Sequence, residues 1–268
     1  MSVIDGPTAR DPQHATGNWT VLPSWLPVPG LGVLAVNSFL HKGREPMLVD
    51  TGLSALGETF LAALEQQIDP GDLRWIWVSH MDADHIGNLQ RVLDRAPKAR
   101  IVTNFLGMGK MGMMGFDTSR VHLLEPGQGF EAGGKRFHPV RPPYYDAPET
   151  IGFFDAEDRV FFAADSFGAL LPEPVHGIDE VADEALKDGL VTWSSIDAPW
   201  LANADANRLG RTLKAIEDLD PEFLFSGHLP LARRGVSALT GHVAGAWRRG
   251  TDAALDPLAI EYVAQALG

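Results

Sequence analysis

Four side chains able to bind metal, His80, Asp82, Asp84 and His85, fall within six positions of this chain, in Ser79-His80-Met81-Asp82-Ala83-Asp84-His85. Imidazole nitrogens and carboxylate oxygens in that H-x-D-x-D-H spacing suit a pair of metal ions held close together. Trp75-Ile76-Trp77-Val78 precedes them and reads as a strand delivering the loop. Two later places share the design. Asp165 follows the apolar run Val160-Phe161-Phe162-Ala163-Ala164, and His228 closes Phe223-Leu224-Phe225-Ser226-Gly227. A lone Asp after a strand is usually a turn or cap residue, and a lone Gly-His is usually structural. Together the three places make a candidate dinuclear centre, because an apolar strand ending in a charge exposes that charge at a sheet edge, where sites are built.

The elements that must position these groups alternate between strand-like and helical text. After a polar, irregular arm over residues 1–17, residues 33–40 and 46–50 read as neighbouring strands with a turn at Lys42-Gly43. Residues 58–67 carry Phe60, Leu61 and Leu64 at helical spacing. Helix is expected again over 87–95, strand over 100–103, and a β-rich, turn-rich stretch over 121–165 with a hairpin turn at 155–158. Residues 171–200, with three prolines and several acids, read as an insertion or lid containing a helical piece. Residues 205–219 form a helix with Leu209, Leu213 and Ile216 on one face, 223–225 a strand, and two further helical stretches close the chain. Nothing divides residues 1–268, so a single domain is expected. Hairpins first and helices interleaved later fit an α/β class, two packed sheets flanked by helices.

The combination of H-x-[HDE]-x-D-H, a later bridging Asp and a late Gly-His resembles the metallo-β-lactamase superfamily over about residues 33–230. The resemblance implies an αβ/βα four-layer sandwich with a dinuclear site. Val49-Asp50-Thr51-Gly52 matches the superfamily's early Asp-Thr-Gly, whose Asp sits behind the ligands. Hydrolytic members usually carry His where this chain has Asp82. A carboxylate there, with Asp165-Ser166-Phe167-Gly168 at the bridging position, is similar to the diiron domain of flavodiiron oxygen or nitric oxide reductases, which carry H-x-E-x-D-H and Asp-Ala-Phe-Gly. Carboxylate in place of imidazole makes a site harder and more anionic, favouring iron or manganese over zinc. By resemblance, His80, Asp82 and Asp146 would hold one metal, and Asp84, His85 and His228 the other, with Asp165 bridging. Asp146 falls where the family has a further His; Tyr145, Glu149 or water are the alternatives. Four carboxylates would then neutralise two divalent ions.

The function this resemblance implies is a non-heme diiron oxidoreductase that binds or reduces oxygen or nitric oxide. Its cofactors would be two metal ions, iron preferred, with zinc or manganese open. Flavodiiron enzymes append a flavodoxin domain; none is expected within these residues, so flavin and electrons would come from a separate redox partner. The relatives also imply a homodimer. Two other classes stay open. One is a metal-dependent hydrolase of an ester, lactone, thioester or phosphoester, in which Asp84 is the catalytic residue that orients the attacking hydroxide. The other is a non-catalytic metal-binding sensor.

Composition narrows the field. The absence of cysteine excludes disulfides, iron–sulfur clusters, thiolate zinc sites and cysteine nucleophiles. With 22 basic against 35 acidic residues and a net charge of -13, the surface repels polyanions, so no nucleic acid partner is expected. No apolar run is long enough to span a membrane and no leader is evident, so the cytoplasm is the expected location and a small molecule or gas the expected substrate. Gly107-Met108-Gly109-Lys110-Met111-Gly112 satisfies G-x-G-x-x-G, but the next strand follows too soon for a βαβ crossover. Met108, Met111, Met113 and Met114 are read as loop packing, with the lining of an apolar pocket for a gas or an external flavin as the alternative. His14, His41, His122, His138, His176 and His242 receive no ligand role, and no G-x-S-x-G supports a serine hydrolase.

Overall fold

The structure, a computed structural model, describes residues 5–249; the last of the expected helical stretches lies outside the described residues. A first sheet is built from β1 (Thr8–Ala9), β2 (Gln13–Thr16), β3 (Trp19–Val28), β4 (Gly32–His41), β5 (Met47–Val49), β6 (Trp75–Trp77), β7 (Arg100–Thr103) and β8 (Val121–Leu123). A second holds β9 (Phe130–Ala132), β10 (Lys135–Val140), β11 (Gly152–Asp155) and β12 (Val160–Phe162), then β14 (Phe223–Phe225) and β15 (Ala232–Arg233). Between those two groups β13 (Leu170–Leu171) returns to pair with β4. The helices are α1 (Gly57–Gln67), α2 (Ala83–Ile86), α3 (Leu89–Arg95), α4 (Phe105–Met113), α5 (Asp183–Asp197), α6 (Ala206–Asp218) and α7 (Val236–Arg249).

Side chains alternate across a strand, and here both faces of the first sheet are covered. Leu40, Leu48, Ile76 and Val78 pack outward against Phe60, Leu64 and Val92 of α1 and α3. Phe39, Val49, Trp77 and Val102 point inward and meet Phe153, Phe162 and Phe225 of the second sheet. Beyond that sheet, Phe161 and Leu224 pack on Leu190, Leu213 and Leu239 of α5, α6 and α7. The order helix, sheet, sheet, helix is the expected αβ/βα sandwich. No helix among the described residues is long and apolar enough to cross a membrane.

Three segments differ from expectation. The arm, expected to be irregular, contributes β1 and β2, both antiparallel to β3. Its sequence lacks apolar alternation because those short edge strands are held by the backbone of β3 rather than by a buried face. Residues 171–200, read as an insertion or lid, carry α5, whose Leu186 and Leu190 are buried in the core of the outer helical layer. The glycine- and methionine-rich run is helix α4, started by Asn104, whose Oδ1 accepts from the Gly107 N–H at 3.0 Å. Only Met111 of its methionines is fully buried, while Met113 is 82% exposed, so they do not pack a loop.

Candidate metal centre

Parallel strand pairs in both sheets end at one place, and those ends carry the chemistry. β12 and β14 are parallel with Phe162 opposite Phe225, so Asp165 and His228 emerge side by side. The pairing continues past the strands through Ala163 N–H to Phe225 O and Gly227 N–H to Ala164 O, both 2.8 Å. In the first sheet Val49 lies opposite Trp77, which sets Asp50 beside Ser79 and His80. Asn37 on β4 ties the sheets together, its side chain donating to Ser226 O at 3.0 Å and Leu229 O at 2.7 Å. Asp50, Ala164 and Phe167 have φ of 57°, 48° and 69°. Left-handed backbone at non-glycine residues costs on the order of 1–2 kcal/mol. The site holds three such residues.

Three imidazoles converge on Asp165 with their outer nitrogens fixed. Asp50 accepts from the Ser79 N–H at 2.8 Å, from Ser79 Oγ at 2.7 Å and from His85 Nδ1 at 2.9 Å. Because Ser79 Oγ donates to Asp50, it accepts from His80 Nδ1 at 3.0 Å. His228 Nδ1 donates to Ala35 O at 2.8 Å. A proton on each Nδ1 leaves each Nε2 lone pair facing inward. Those atoms stand 3.2 Å (His80), 3.0 Å (His85) and 3.4 Å (His228) from Asp165 oxygens. His80 Nε2, His85 Nε2 and Asp165 Oδ1 are buried and form no hydrogen bond. Lone pairs turned toward a carboxylate repel it unless a cation lies between, so the donor set fits metal ions.

Four sets of donors each have their atoms within 4.8 Å of one another: His80, His85 and Asp165; Asp84, His85 and His228; His80, Asp82 and Asp146; and Asp146, Asp165 and Asp197. Donors on opposite sides of one ion stand about 4.2 Å apart, so only small adjustments would close them on ions. Every residue singled out from the sequence therefore comes to one place. Of the alternatives near Asp146, Tyr145 packs its ring 5.6 Å from Trp200, and the Glu149 carboxylate meets Lys110 Nζ at 2.5 Å. Asp146 is the one in reach of His80, at 3.9 Å.

The imidazoles and carboxylates of the cluster shift one another's pKa values. Burial opposes charge on His85, but Asp165 first, then Asp84 and Asp50, raise it well above an ordinary histidine. Burial likewise opposes charge on His228, which Asp165 nonetheless raises to about 9. Asp165 is itself held well below the carboxylate range, His85 leading the imidazoles that overcome its burial. Burial raises Asp146, whose side chain keeps 20% of its surface exposed.

Sequence reasoning missed Asn37, Tyr144, Trp193 and Asp197. Trp193 lies against His228, ring centres 5.1 Å apart. The Tyr144 hydroxyl accepts from the Phe167 N–H at 2.5 Å and lies 3.0 Å from Ser194 Oγ, joining the Asp165 turn to α5. Asp197 ends α5 with a donor oxygen within 4.8 Å of Asp146 and Asp165. None follows a strand in a polar run, so no local signal marks them. The histidines set aside stay away from the site. His138 is exposed on β10, His176 faces Gln13 at 2.9 Å, and His41 is buried among aromatic rings, its pKa lowered to about 4 by burial and then Lys135.

The sequence model of the Metallo-beta-lactamase superfamily matches residues 31–228, and the chain belongs to that superfamily. Its relatives include a protein carrying the name diflavin flavoprotein A 1 in Thermosynechococcus vestitus, 29% identical over 199 residues, covering 74% of this chain and 34% of that protein. Another is the anaerobic nitric oxide reductase flavorubredoxin of Pectobacterium atrosepticum, 25% identical over 134 residues, covering 49% of this chain and 26% of that protein. The fold is shared with a variant of the flavo-diiron protein from Thermotoga maritima, at a TM-score of 0.76 and 20% identity, over 91% of this chain and 63% of that one. The chain thus spans about a third of the length of the first curated relatives it matches.

Proposed function

We propose that this chain binds two metal ions, iron by preference, and acts as an oxidoreductase of the flavodiiron type on oxygen or nitric oxide. The observation that carries the reading is the inward-facing Nε2 set around Asp165, combined with a carboxylate, Asp82, at the variable position of the loop. The flavodiiron and nitric oxide reductase names of its relatives support it. His80, Asp82 and Asp146 would hold the first ion and Asp84, His85 and His228 the second, with Asp165 shared. When bound, the ions would supply electrons and Lewis acidity to the gas.

The chain's own residues perform the rest. Asp50 and Ser79 hold two imidazoles in one tautomer, and Ala35 O holds the third. Trp193 packs its ring edge-on against His228, 5.1 Å between ring centres. Asp84, its side chain 25% exposed, is the ligand of the second position that reaches solvent. Electrons and flavin would come from a separate donor, and a homodimer belongs to the same proposal. The test is elemental analysis of protein purified without added metal, followed by oxygen or nitric oxide consumption by the ferrous form with an artificial reductant. About two irons per chain and reductant-dependent consumption are expected. Zinc with little iron, and hydrolysis of a generic ester or lactone, would overturn the oxidoreductase reading.

A further inference from the structure

Asp197 is placed where a carboxylate is poorly tolerated. Its Oδ2 is buried and forms no hydrogen bond, and among the described residues no lysine or arginine pairs with it. It is the last residue of α5, where the helix dipole is negative and an acid is disfavoured. Its neighbours are two more carboxylates, Asp146 and Asp165, all three with donor oxygens within 4.8 Å. Three unfavourable terms at one side chain are relieved together by a cation.

An acidic cluster alone would not establish that. A second observation points the same way: His80 Nε2, on a wholly buried side chain, forms no hydrogen bond and lies 3.2 Å from Asp165 Oδ2 and 3.9 Å from Asp146 Oδ2, two carboxylates of this cluster. The placement is also structurally fixed. Tyr144 bonds to the turn after Asp165 and lies against Ser194 one helical turn before Asp197, while Asp146 lies two residues beyond Tyr144. One buried phenol thus ties the turn after Asp165 to α5, the helix that ends at Asp197.

We propose that Asp197 is a further ligand of the first metal position, completing with Asp146 and Asp165 an oxygen face where flavodiiron proteins use an imidazole. This rests on the dinuclear reading of the site. It makes the two positions unequal: the first has one imidazole, His80, among carboxylates, and the second has His85 and His228. An oxygen-rich position favours a hard ion such as manganese or iron.

The test is titration of metal-free protein with manganese(II) alone, free manganese being read by its paramagnetic resonance signal. Wild type should take up about two ions per chain. Asp197→Asn, which keeps the side chain's size, should weaken one of the two by about tenfold or more and leave the other unchanged. Its metal-free form should melt no lower than wild type, since a buried unpaired carboxylate is gone. No uptake by wild type would sink the dinuclear reading itself. Two ions bound equally well by Asp197→Asn, or both lost, would overturn only the role of Asp197. Should circular dichroism show Asp197→Asn unfolded, the same comparison with Asp197→Ser decides.

Discussion

At the scale of single residues, Asp50 governs the orientation of two imidazoles although it faces neither metal position. It accepts three hydrogen bonds, and one of them fixes the tautomer of His85. Asp50→Asn would put a donor where an acceptor is needed. Losing such an orienting partner typically costs about 10–100-fold in metal affinity. That loss should appear in calorimetric titration with manganese, with the fold retained; unchanged affinity would mean the imidazoles are held by packing alone. Asp82 sets a different property. Asp82→His would soften the first position, so competition between iron(II) and zinc should shift toward zinc. Residues of these two kinds were legible in the sequence, since both stand in a short motif. Asp197 and Asn37 were not, because each reaches the site only through packing of an element remote in sequence.

At the scale of elements, the site depends on two strand ends approaching as closely as backbone allows. Gly227 lies between them: a Cβ there would stand 2.8 Å from His85 Cε1 and 3.1 Å from Asp165 Oδ1. Gly227→Ala should therefore displace the bridging carboxylate, costing about 1–3 kcal/mol in stability from overpacking and abolishing binding of at least one ion. Thermal melts and elemental analysis on the same sample check both parts; full metal content would show that the strand ends can separate. The strands that deliver the motifs could be read locally, as apolar runs ending in polar residues. β3 could not, because Pro23 and Pro27 break its pattern, yet both sit in a strand paired along its length with β4. α4 was hidden by its glycines, whose helix cost is offset by the Asn104 cap and by burial of Met111.

At the scale of the whole molecule, the centre couples stability to pH and to metal. In the metal-free protein His228 holds its proton up to about 9, against 6.5 for an ordinary histidine, with Asp165 overcoming the effect of burial. Its contribution to stability is present below about pH 6.5 and is lost as pH rises through 9. Asp197, raised to about 8 by burial and then by Asp165, acts with the same sign, since the folded state keeps a proton the unfolded chain has released. Asp165, held low by the imidazoles, contributes oppositely, but its loss comes only as pH falls below the ordinary carboxylate range. The metal-free protein should therefore melt at steadily lower temperature from about pH 6.5 to about 9. Metal ions replace those protons and stabilise by mass action, so the loaded protein should hold its melting temperature and the gap should widen with pH. The net charge of -13 adds a general self-repulsion that also grows with pH. Asp197→Asn separates the two effects: it removes a local proton site and leaves the distant charges in place. A shallower pH slope in metal-free Asp197→Asn than in wild type, read by calorimetry, would assign the loss to the cluster, whereas equal slopes would assign it to the surface.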